Sequence, residues 1–147
     1  ISLGLVGSEM CIRDRCAAMA AENITKEQLE EMEEAVYLSD FHADKGNYEQ
    51  VCQQDGRFHQ LLYQASGSRI LAHTLSDFHE YLQRVRMASV KFRMRARPSN
   101  SEHKTILEAI RTKDTKRAEE AAYLHIRNTM ENLKNFDMEK VLREEIK

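Results

Sequence analysis

Apolar residues recur every three or four positions along nearly the whole chain, and nowhere do they alternate with polar ones over the length of a strand. That spacing gathers them on one face of a helix with 3.6 residues per turn. Proline occurs once, and charged residues make up 31% of the chain, so long helices run without breakers and carry solvated outer faces. Such helices bury their apolar stripes only by packing on one another. The predicted fold is therefore all-α, an antiparallel helical bundle of about six helices.

The boundaries follow from caps and breakers. Residues 16–22 (CAAMAAE) read as the end of a helix whose start is missing. Thr25 with Gln28 forms a capping box for a second helix that runs to about Lys45, closes at Gly46 and shows Leu29, Met32 and Val36 on its apolar face. A third helix is predicted from about Tyr48 to Ala65, stopping at Ser66-Gly67. A long fourth helix, from about Arg69 to Arg95, carries Leu71, Leu75, Phe78, Leu82 and Val85 and is ended by Pro98. A fifth begins near Asn100 with Ile106, Leu107 and Ile110, and Asp114 caps a sixth with Ala118, Ala121, Ala122, Ile126, Met130 and Leu133. Residues 136–147 read as a polar helical tail.

The first residues stand apart. Leu5 to Asp14 spells LVGSEMCIRD, which resembles the conceptual translation of a transposase sequencing adaptor. Residues 1–15 are therefore expected to be artefactual and to pack against nothing essential, leaving residues 16–135 as the domain. Within that domain only Cys16 and Cys52 remain, too few for a disulfide framework or a zinc ribbon, and in keeping with a reducing cytoplasm. The formal net charge is -2, which makes the domain a poor nucleic-acid binder by itself, and no stretch has the length of a membrane span.

The chemistry sits on three helices. Asp55 and His59 are four residues apart and share a face with Val51, Phe58 and Leu62, so both point inward. His103 lies in register with Ile106, Leu107 and Ile110, and His125 with Ala118, Ala121, Ala122 and Met130. One carboxylate and three imidazoles are thus offered to the bundle interior, where each needs a partner and a divalent cation satisfies all four. Imidazole with carboxylate suits zinc, nickel, iron or manganese.

Three function classes fit these features. The first is a ligand sensor, the second a small helical metallohydrolase, and the third a ligand-free dimerisation module. A hydrolase needs a general base beside the open metal position. The nearest spare carboxylate, Glu102, adjoins His103 and is turned about 100° away on an ideal helix, which counts against catalysis.

The segment Asp55-Gly-Arg-Phe-His59-Gln-Leu-Leu-Tyr-Gln-Ala-Ser-Gly67 resembles the D-x-x-F-H…L…A-S-G-N signature of the FCD domain, the effector-binding domain of the FadR subfamily of GntR transcription regulators. Glu102-His103-Lys-Thr-Ile106-Leu-Glu-Ala109-Ile110 resembles its E-H-x-x-I-x-x-A-I segment, and Asp114…Ala118…His125-Ile126 its D-x-x-x-A…H-I segment. Cys16-Ala-Ala-Met-Ala-Ala resembles the tail of its first helix, and Ser68 stands where the family usually has Asn. The resemblance implies a helical bundle with metal ligands at Asp55, His59, His103 and His125, zinc being the first expectation. It also implies a small organic or sugar acid as effector, a cytoplasmic homodimer, and operator DNA bound only through an N-terminal winged helix-turn-helix absent from this chain. His79 and Arg86 border the apolar face of the fourth helix and are further candidates for ligand contact, Arg86 as a carboxylate clamp.

Overall fold

The computed structural model describes the backbone of residues 3–75 and 93–134 and the side chains of residues 11–75 and 95–132. These residues form helices and no strand. The helices are α1 (Leu3–Asn23), α2 (Lys26–Asp44), α3 (Tyr48–Ala65), α4 (described over 69–75), α5 (Arg93–Arg111) and α6 (Thr115–Lys134). The all-α bundle expected from the periodicity is the fold observed. Phe78, Leu82, Val85, the ligand candidates His79 and Arg86, and the tail 136–147 lie outside the described residues.

Local chemistry sets most of the ends. Thr25 Oγ1 accepts from Gln28 N at 3.2 Å while Gln28 Oε1 accepts from Thr25 N at 3.0 Å, so the capping box closes in both directions and starts α2. Past the end of α2, Gly46 takes φ +71°, a left-handed conformation that glycine adopts without steric penalty. Asp114 Oδ1 accepts from Arg117 N at 3.0 Å and opens α6.

Packing is by pairs: α2 on α3, α1 on α6, and α5 on both α6 and α2. Alanines dominate the α1–α6 side of the core, with Ala17, Ala20 and Ala21 on one helix and Ala118, Ala121 and Ala122 on the other. Their small side chains let the two backbones approach, while Met32, Phe58, Leu62, Ile106 and Ile110 fill the rest of the same core. A polar ladder fixes α2 against α5. Arg97 pairs with Asp44 at 2.6 Å, Asn100 donates to Asp40 at 2.6 Å and to the Val36 carbonyl at 3.1 Å, and Arg111 reaches Glu33 at 2.5 Å. The exposed ion pairs contribute little energy each. Buried Asn100, bonded to a backbone carbonyl, sets the register.

One expectation is corrected. Pro98 does not separate two helices, because it lies inside α5 (Arg93–Arg111). Its missing N–H removes one bond from the helical turns around it. Tertiary contacts hold those turns: Arg95 bonds to Glu102 and Thr129, and Ala96 packs with Val51 and Cys52. Buried residues also occur ahead of Cys16. Helix α1 is continuous from Leu3, and Arg13 and Asp14 are 6% and 7% exposed. The Arg13 guanidinium stands 5.6 Å from the centre of the Tyr63 ring, and Asp14 lines a cleft shared with Lys116, Glu119, Tyr123 and Leu124 of α6.

Asp14 is poorly accommodated. Its Oδ1 is buried with no hydrogen-bond partner. Burial first, and the Glu119 carboxylate second, push its pKa up from 3.8 to about 6 against the opposing pull of Arg13. The folded chain therefore holds this proton more tightly than the unfolded chain, and stability falls as pH rises from about 4 to about 6. Asp14→Asn is expected to flatten that decline and to raise stability at pH 7 by on the order of 2 kcal/mol. Urea denaturation of both proteins across pH 4 to 7.5 checks this, and parallel pH profiles refute it.

Candidate metal centre

Helix α3 supplies two of the groups. The four-residue spacing of Asp55 and His59 stacks them one turn apart on the face that also buries Val51, Phe58 and Leu62. Helix α5 brings His103 and α6 brings His125. All four side chains are buried, with residue exposures of 4% or less.

Their ligating atoms converge. His103 Nε2 lies 3.2 Å from His125 Nε2, which is 3.4 Å from His59 Nε2. Asp55 Oδ1 is 3.5 Å from His103 Nε2 and 3.9 Å from His59 Nε2. A tetrahedral first-row ion with bonds of about 2.0–2.1 Å sets its ligand atoms about 3.4 Å apart. The two printed imidazole separations lie close to that value, so the three histidines can hold such an ion, with the Asp55 carboxylate beside two of them.

The surroundings fix the rings. Phe58 stacks on His103 with centroids 4.4 Å apart and an interplanar angle of 20°, and meets His59 edge-on. His125 Nδ1 donates to Glu102 Oε2 at 2.6 Å. A carboxylate accepting there places the ring proton on Nδ1, which leaves the neutral ring's lone pair on Nε2, facing the cluster. Burial raises the Glu102 pKa, but hydrogen bonds from His125, Arg95 and Asn128 outweigh it and pull the carboxyl down to about 2. Tyr63 follows His59 by one turn, and its phenol oxygen is buried with no hydrogen-bond partner.

All four residues singled out by spacing and motif are thus brought together. Sequence reasoning turned Glu102 away from the cluster but did not see that it lands behind His125. The seven-residue interval between Arg95 and Glu102, two turns along one helix face, was the available signal. Tyr63, four residues after His59, carried a similar one.

The model of the FCD domain family matches residues 12–128, a span that includes all four residues and begins ahead of Cys16. No curated protein matches the sequence. Among solved structures, Streptococcus agalactiae GntR is similar with a TM-score of 0.69 and 24% identity, covering 84% of this chain and 55% of its own. Escherichia coli McbR/YncC is similar with a TM-score of 0.77 and 18% identity, covering 88% of this chain and 62% of its own. The chain therefore spans between half and two-thirds of the length of these structures. Domains of the matched family regulate rather than catalyse, and the chain is not an enzyme. A bundle with this topology, matched along most of its length by one family model, belongs to the FCD domain family, the effector-binding domain of GntR-family transcription regulators.

Proposed function

We propose that this domain binds one divalent metal ion, zinc before nickel, manganese or iron, through Asp55, His59, His103 and His125, and uses it to anchor the carboxylate of a small organic or sugar acid. The convergence of one carboxylate oxygen and three imidazole nitrogens within a buried space carries the reading. The charges support it. A divalent ion held by one carboxylate and three neutral imidazoles retains a formal +1, which pairs with an incoming carboxylate that has lost its hydration. The Tyr63 hydroxyl, buried without a hydrogen-bond partner one turn from His59, is suited to donate to such an anion. Arg86 and His79 are further candidates for that contact, outside the described residues.

On this reading the chain is the sensing half of a cytoplasmic regulator of the FadR subfamily. Effector binding shifts the relative pose of two DNA-binding heads in a homodimer and so changes operator affinity. Those heads belong to sequence outside this chain.

Purified protein is expected to contain about one equivalent of metal, and His103→Ala or His125→Ala to weaken its binding at least tenfold. Because ligand imidazoles must shed protons, affinity falls toward acid pH. Elemental analysis with chelator competition measures both, and full occupancy in a variant lacking all three histidines sinks the assignment.

The effector is tested by calorimetry against hexuronates, hydroxy acids and dicarboxylates, with metal and after chelation. Binding is expected only with metal, and ester or amide analogues are expected to bind far more weakly than free acids. A saturating acid, at one hundred times its Kd, stabilises the domain by roughly 2.7 kcal/mol. Equal binding in the chelated protein refutes metal-anchored recognition.

A further inference from the structure

Behind His125, on the side away from the cluster, stands a second polar assembly. Glu102 accepts from His125 Nδ1 at 2.6 Å through Oε2. The same carboxylate is held by Arg95 with two parallel bonds, Nη1 to Oε1 at 3.0 Å and Nη2 to Oε2 at 2.7 Å, and by Asn128 Nδ2 at 2.9 Å. Arg95 is only 9% exposed and is tied to α6 through Thr129 Oγ1 at 3.2 Å. Glu102 thus has acceptor sites taken by three donors from α5 and α6, and its position is over-determined.

This arrangement separates two effects that usually conflict. A carboxylate on the outer nitrogen of a ligand histidine fixes the ring's tautomer and orientation and raises its basicity. The same carboxylate, left uncompensated, also adds negative charge one imidazole away from the cation and weakens its pull on an anion. The bidentate guanidinium makes Glu102 half of a neutral pair. We infer that Glu102 and Arg95 are a positioning pair: Glu102 presents the His125 Nε2 lone pair to the metal, and Arg95 cancels the charge of Glu102 so that the bound ion keeps its attraction for an anionic effector. The inference rests on the metal reading above and assigns roles to two residues outside the proposed ligand set.

The pair is tested with cobalt(II) as the metal and acetate as the smallest carboxylate. Cobalt affinity is read by chelator competition, and acetate affinity by the visible spectrum of the cobalt-loaded protein. Glu102→Gln keeps the side chain's shape and removes its charge, and it is expected to weaken cobalt binding roughly 10- to 100-fold. Arg95→Gln leaves Glu102 held by Asn128. It is expected to hold cobalt within a few-fold of the original chain, or more tightly, while losing acetate affinity several-fold. Arg95→Lys keeps the positive charge and is expected to recover most of the acetate affinity. It serves as the decisive variant if Arg95→Gln does not fold, as judged by thermal melting of the metal-free protein.

Unchanged cobalt affinity in Glu102→Gln overturns the positioning role. Equal loss of cobalt in Arg95→Gln and Glu102→Gln, with acetate affinity intact, overturns the charge-cancelling role, as does an Arg95→Lys variant no better than Arg95→Gln. Failure of the unaltered chain to bind cobalt overturns the metal reading itself, an outcome separate from the others.

Discussion

Asp55 carries a carboxylate into an apolar interior where the residue is 4% exposed, and a charge placed there must be met by opposite charge or by several donors. Three imidazole nitrogens stand within 4.8 Å of one another, and the carboxylate oxygen lies beside two of them. Much of the local architecture serves to hold these groups together. Phe58 lies flat on His103 and edge-on to His59, so one aromatic ring fills the core and fixes two of the donors. Glu102 secures His125 from the far side. Each ring is restrained by a neighbour that belongs to the packing, so the donor set is organised by the bundle and does not wait for a ligand to assemble it.

Helix α5 joins the core to the polar cluster. One face carries Ile106, Leu107 and Ile110 into the core, another sets Asn100 and Arg111 against α2, and a third carries Arg95 and Glu102 toward α6. A helix fixed on three sides tolerates an internal proline, because the contacts of Arg95 and Ala96 do not depend on the single backbone bond that Pro98 removes. His103 sits between these faces, and its position inherits the rigidity of all of them.

The first helix shows the opposite economy. Its alanines sit well against α6, yet one turn earlier Arg13 and Asp14 enter the same packed zone. A buried carboxylate oxygen with no hydrogen-bond partner and a carboxyl pushed up to about 6 mark a place where the sequence does not suit its surroundings. Arg13 and Asp14 belong to the segment whose sequence resembles a translated adaptor. The helical backbone there is continuous with the alanine-rich C-terminal turns of α1.

Periodicity alone determined that the chain is helical, which residues face inward, and where Thr25, Gly46 and Asp114 begin or end helices, because caps and the 3.6-residue repeat act over one or two turns. The i, i+4 pair on α3 and the inward registers of His103 and His125 were legible on the same grounds, and the motif resemblance tied the three helices to one site. What the sequence did not decide was the rotation and offset of each helix against its neighbours. That rotation places Glu102 behind His125 rather than in solvent, lets α5 run through Pro98, and buries Arg13 and Asp14. These are contacts between groups more than twenty residues apart, or side chains whose burial depends on a distant helix, and their energies arise only once the bundle has closed around them.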